Sequence, residues 1–293
     1  MAIEKNGQAA RLMGATDSQS IATCAPMSAM VVEPPCHNCG AVLHGPFCAA
    51  CGQRDQPVDP SVREVLGEVV REISDLDSRI LRSVRRLFLS PGFLTMQYLQ
   101  GRRTSWMSPV RLYLLSSVLF FATTSWTGQS PLQFNITRDG ESDGKTQQAV
   151  QELGFSGERE VDRVVNEALT TWISRAMFVL VPVFALLVSL VRRRARRNYL
   201  QHLIFAVHVH AAVFGAQAVA IAVGYLTGED LISLMLGLAS VLYALGYLAV
   251  ALRTVYGGSI LRAFADASLL AVGHWFITML AAAMIVGGVL FWR

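Results

Sequence analysis

Charge is in short supply: only 16% of the 293 residues are Asp, Glu, Lys or Arg, against a hydrophobic share of 53%. Soluble domains carry about 25% charge, so the shortage argues against an ordinary soluble globule and for a membrane class. No Asp or Glu falls in the apolar runs 172–191, 199–226, 231–252 and 269–292, which speaks against carboxylate-based chemistry inside them. There is no G-x-S-x-G nucleophile elbow and no phosphate-binding glycine loop. No apolar core of roughly 7–15 residues follows a basic start in the first 35 residues. A cleavable signal peptide is therefore not expected, and the first membrane span would do the targeting.

The feature that orders the rest is Arg192-Arg193-Arg194-Ala195-Arg196-Arg197, set between two of those apolar runs. Guanidinium groups are costly at a bilayer centre, so this cluster belongs at a membrane surface, and basic loops stay on the cytoplasmic side. Arg102 and Arg103 are a second inside signal. Residues 127–171 hold 4 Lys/Arg against 8 Asp/Glu, which suits the opposite side. Counting outward from the cluster gives an all-α membrane bundle of five spans, 110–126, 172–191, 199–226, 231–252 and 269–292. The N-terminus is then cytoplasmic and the C-terminus periplasmic. Span 110–126 is at the lower length limit for crossing. Anionic lipid headgroups are the expected neighbours of all seven arginines named here.

All five cysteines are N-terminal. Cys24 lies in a leader, 1–35, that shows no periodicity and is expected to be disordered. The others form Cys36-His37-Asn38-Cys39-Gly40 and Cys48-Ala49-Ala50-Cys51-Gly52, two C-x-x-C pairs separated by eight residues. This spacing predicts one tetrahedral four-thiolate zinc site over 36–53. Gly40 and Gly52 stand where each knuckle needs a positive φ to close. The unit is too short for a hydrophobic core, so the zinc would be structural, and four thiolates leave no open position for catalysis. It has no Lys or Arg, which argues against nucleic-acid binding.

Apolar residues at steps of three and four over 61–89 predict an amphipathic helix within a 54–109 linker region. Arg79, Arg82, Arg85 and Arg86 gather at its end, and Ser90-Pro91-Gly92 stops it. Such a helix either lies on the inner leaflet or packs on the zinc unit or a second subunit. Within the membrane domain, 110–293, small residues pair at four-residue spacing: Ala211 with Gly215, Ser233 with Gly237, Ala283 with Gly287. These serve packing inside the bundle or a homo-oligomer face. Asn135-Ile136-Thr137 matches a glycosylation acceptor, a weak signal.

Four stretches together resemble the bacterial family known as domain of unknown function 3667. They are the two cysteine knuckles, Cys36–Gly40 with Phe47–Gln53; Ser90-Pro91-Gly92 with Gly101-Arg102-Arg103; Ser108-Pro109-Val110-Arg111-Leu112-Tyr113-Leu114-Leu115-Ser116-Ser117; and His202-Leu203-Ile204-Phe205-Ala206-Val207-His208-Val209-His210. The resemblance implies a zinc-ribbon-type knuckle joined to a multi-span domain of the bacterial inner membrane. It brings no activity with it.

Three functional readings stay open. The first is a non-enzymatic membrane protein whose zinc knuckle and basic helix form an interaction or assembly module for a protein partner at the cytoplasmic face. The second is a metalloprotein or haemoprotein built on His202, His208, His210 and His274. The separations on one helix, six and two, do not let a pair there share an ion, so His274 would have to supply the partner across helices. The third is a small-molecule or lipid transporter, for which no inverted repeat is visible.

Overall fold

The computed structural model describes residues 34–55, 79–128 and 144–291. Cys24, the 61–78 part of the expected amphipathic helix and Asn135-Ile136-Thr137 lie outside the described residues. The knuckle region, 34–55, contains two isolated antiparallel bridges, Pro35 with Val42 and Phe47 with Arg54. After it come eight α-helices among the described residues: α1 (Arg79–Leu89), α2 (Phe93–Leu99), α3 (Pro109–Thr127), α4 (Gly144–Glu152), α5 (Glu158–Val191), α6 (Tyr199–Thr227), α7 (Asp230–Tyr256) and α8 (Ile260–Phe291).

Helices α5 to α8 are long and apolar enough to cross a membrane. Even α7, with 27 residues, reaches about 40 Å and exceeds a hydrocarbon core of about 30 Å. Their outer faces expose Leu186, Val219, Leu242, Val272 and Phe276, a surface suited to lipid contact. Helix α6 is the central element, buried along most of its length by α3, α5 and α7, with smaller contacts from α1 and α2.

Helix α3, the expected first span, is not among the four. Its 19 residues would reach about 28 Å, but Arg111, Ser116, Ser117, Thr123 and Thr124 dilute its apolarity. The Thr123 and Thr124 hydroxyls donate back to the Leu119 and Phe121 carbonyls of the same helix, which removes them from competition with packing. The helix lies along α6, with the Phe120 and Phe214 rings stacked 5.0 Å apart. The link between α7 and α8 is also shorter than the gap between the expected spans 231–252 and 269–292. Only residues 257–259 separate the helices, because both apolar runs continue as helix beyond their spans.

Helices α1 and α2 form a hairpin wedged against α6 and α7. Ser90-Pro91-Gly92 makes its turn. Gly92 has φ +81°, and a Cβ there would sit 2.9 Å from Thr254 Cβ and 3.0 Å from the Ala251 carbonyl, so both conformation and space demand glycine. Phe88 lies against Gly215, and Tyr243 donates a hydrogen bond to the Phe88 carbonyl at 3.3 Å. Buried Ser83 accepts from the Met107 amide at 3.0 Å. The described part of the amphipathic helix is thus packed into the bundle on its Ser83 and Leu87 side, while Leu81, Arg82, Arg85 and Leu89 face outward.

The small-residue pairs divide. Gly215 receives Phe88, and Ser233 meets Gly224, whereas nothing described comes within 4 Å of a Cβ at Gly237 or Gly287. A separate apolar cluster joins Val161, Val165 and Leu169 at the start of α5 to Val150, Phe155 and the end of α8.

Candidate metal centre and the polar groups of the bundle

Each knuckle is closed by the same pair of backbone bonds. The Gly40 amide donates to the Cys36 carbonyl at 2.9 Å and the Cys36 amide to Ala41 at 2.8 Å. Gly52 donates to Cys48 and Cys48 to Gln53, each at 2.8 Å. Gly40 and Gly52 have φ of +78° and +72° with open space around them, so it is conformation and not room that calls for glycine.

The result is a four-sulfur cluster. Cys36 Sγ lies 3.7 Å from Cys51 Sγ, Cys39 Sγ lies 3.5 Å from Cys48 Sγ, and all four sulfurs fall within 4.8 Å of one another. A disulfide needs about 2.05 Å, so the four are free thiols. Tetrahedral ligands at about 2.3 Å from an ion stand about 3.8 Å apart, and the set fits that. Without a cation the Cys39 thiol is pushed up to about 12. The Ala41 backbone bond lowers it, but the neighbouring sulfurs of Cys48, Cys51 and Cys36, together with desolvation, raise it more. The cluster can hold a metal ion, and a bound cation would reverse that preference for the protonated form.

The knuckle is seated on the chain that leads into α3. The Gln53 amide donates to the Gly101 carbonyl at 2.8 Å, and its Oε1 accepts from the Arg103 and Thr104 amides at 3.2 and 3.3 Å. Ser105 donates to Asn38 Oδ1 at 2.8 Å. Arg103 stacks over Tyr98 and exposed Arg102 donates to Gln97.

The four histidines fall into three arrangements. His202 Nδ1 shares a 2.7 Å hydrogen bond with the Tyr256 hydroxyl. His208 donates from Nδ1 to the Ile204 carbonyl at 3.0 Å, with buried Thr95 Oγ1 3.2 Å away on α2. His210 donates from Nδ1 to the Ala206 carbonyl at 2.8 Å, which leaves its Nε2 with a lone pair. That Nε2 lies 3.3 Å from His274 Nε2, and Phe184 packs 5.1 Å from both rings. The structure therefore brings His210 and His274 together, while His202 and His208 each have other partners.

The arginine cluster is not uniform. Arg193, Arg194 and Arg196 are exposed, but Arg192 is buried, with Nη2 2.9 Å from Asp266 Oδ2 on α8. Arg192 and Arg197 both lie over the Tyr256 ring, and Arg197 donates to the Val255 carbonyl at 2.9 Å.

Residues 77–121 match the family model described as protein of unknown function (DUF3667). The matched stretch covers the α1–α2 hairpin, the 101–105 loop that seats the knuckle, and the first two-thirds of α3. It therefore coincides with the segment joining the cysteine cluster to the bundle. No curated protein and no solved structure matches the chain. The chain thus combines a segment that matches the DUF3667 model, membrane-like helices and a four-cysteine site able to bind metal.

Sequence reasoning assigned no role to Gln53, Thr95, Tyr256 or Asp266. Gln53 directly follows the second knuckle, and Asp266 is the sole carboxylate between 253 and 268. Those positions were the available signals.

Proposed function

We propose that the chain is a non-enzymatic integral protein of the bacterial inner membrane whose zinc-stapled knuckle is an assembly surface at the cytoplasmic face. One observation carries the reading: the metal cluster is fixed to the 101–105 loop through Gln53, so it is part of the bundle's basic end and not a tethered bead. Four thiolates in a tetrahedral set suit structural zinc. The positive-inside rule puts the 192–197 cluster on the cytoplasmic side and so the C-terminus on the periplasmic side; with α3 crossing as a fifth span, Arg102, Arg103 and the knuckle share the cytoplasmic side. The knuckle exposes two large apolar residues, Val42 and Phe47, the kind of anchors a protein partner covers. A photo-crosslinking residue at Phe47 should give one defined protein adduct in cells. Adducts no different from those at exposed His37 would sink the assembly role.

The 3.3 Å contact of His210 with His274 favours a second reading, a metal site within the membrane. Imidazole nitrogens bound at about 2.1 Å to one tetrahedral ion stand about 3.4 Å apart. His210 has its other nitrogen tied to a carbonyl, as ligating histidines do. The closeness of the nitrogens leaves no room for a porphyrin plane between them, which favours an ion over haem. A second metal in the purified protein, lost on His274→Leu, tests this; equal metal content in both proteins removes it.

A further inference from the structure

Where α5 ends, the chain turns through Arg193–Ala195 and then Arg196, whose φ of +48° directs it into α6. Opposite stands the glycine turn between α7 and α8. A cavity of about 360 Å³ opens between the two, lined by Arg192, Arg193, Arg194 and Arg262, with Tyr256, Gly257 and Gly258. Four arginines line it, and Asp266 pairs with one of them, so three positive charges are left over.

Two details separate this cavity from a merely basic surface. Arg192 is only 7% exposed, yet its Nε has no hydrogen-bond partner among the described residues, and its ion pair with Asp266 lies off the line of a hydrogen bond. A buried guanidinium nitrogen without a partner is costly unless a ligand satisfies it. The Arg192 guanidinium also lies over the Tyr256 ring, which is itself tied to His202. Arg192 is therefore organised before any ligand arrives. Guanidinium forks match phosphate oxygens in geometry, and an excess of three charges suits a doubly charged phosphate better than a singly charged diester.

We propose that this cavity binds a terminal phosphate, a phosphomonoester or diphosphate group, carried by a lipid headgroup or by a soluble compound. The lipid source rests on the reading of the bundle as membrane-embedded; the phosphate chemistry does not.

The test uses the full-length protein in detergent at physiological salt, with inorganic pyrophosphate as probe. Saturable binding is expected, weakened at least about tenfold by Arg262→Ala and less than about twofold by Arg196→Ala, an exposed arginine outside the cavity lining. Both substitutions are at exposed positions, so misfolding does not obscure the comparison. Micelles doped with phosphatidic acid or, at matched charge, phosphatidylglycerol are then added as competitors. Displacement by phosphatidic acid alone supports the site and names a lipid monoester as its source. Displacement by neither supports the site and points to a soluble phosphate compound. Equal displacement by both lipids, equal weakening by both substitutions, or no saturable pyrophosphate binding overturns the proposal. The orientation of the protein in a membrane affects none of these readouts.

Discussion

Gln53 and Gly101 are joined by a 2.8 Å hydrogen bond across 48 residues of chain, and the same side chain caps the Arg103 and Thr104 amides. Through this amide, with the Ser105–Asn38 bond beside it, a unit of some twenty residues whose buried cluster is only Cys36, Leu43 and Cys48 becomes part of a helical bundle. Its position links the cysteine cluster to the bundle: an ion held by the four cysteines would also shape the surface Gln53 presents to the loop before α3.

Replacing Gln53 by Leu should therefore separate metal binding from docking. Metal content should stay at the wild-type level, while amide exchange in residues 101–105 accelerates, because the amides Gln53 capped lose their acceptor at a cost of about 1–3 kcal/mol. Unchanged exchange would show that the knuckle is held by something else.

Metal affinity should fall with pH. Cys39 is pushed up to about 12 in the metal-free cluster, so at neutral pH it carries a proton that an ion must displace. Binding that releases at least one proton weakens at least about a hundredfold between about pH 7.5 and about pH 5.5. A competition titration with a chromophoric chelator measures this, and a flat profile would contradict a thiolate site.

Much of this architecture was legible in the sequence, for identifiable reasons. The cysteine spacing and its two glycines announce the cluster because knuckle geometry is local. The long apolar runs mark α5 to α8 because burial in lipid requires continuous apolarity. The α1–α2 hairpin was not legible: periodicity shows that Ser83 and Leu87 share a face, but not that Phe88 would find Gly215 some 127 residues later. The same holds for Arg192. Its run of neighbours reads as headgroup contact, and only the fold shows that α8 continues through Asp266 and buries one arginine of the five.

The hairpin contact gives a double-substitution test. A Cβ at Gly215 would stand 2.5 Å from Phe88 Cζ, so Gly215→Ala forces the ring out of its seat. Overpacking of this kind costs about 1–3 kcal/mol. Adding Phe88→Leu should restore much of the loss, and unfolding curves in detergent measure both. Strictly additive effects would mean that the two residues do not meet.

Asp266→Asn should be more damaging than its size suggests. It leaves the Arg192 guanidinium buried without its countercharge, and breaking such a pair costs about 3–5 kcal/mol, less here because Asp266 is 20% exposed. The double change Arg192→Leu with Asp266→Leu should recover stability relative to Asp266→Asn. Equal stability of Asp266→Asn and wild type would place Arg192 in water.

The central claim is that one structural zinc, held by Cys36, Cys39, Cys48 and Cys51, fixes the knuckle on the membrane bundle. A metal inventory of the detergent-purified full-length protein tests it most directly, with Cys36→Ser/Cys39→Ser alongside. The account requires one zinc per wild-type chain, loss of that zinc in the double variant, and undiminished membrane insertion of both proteins. Zinc retained by the variant, or none in the wild type, would contradict it.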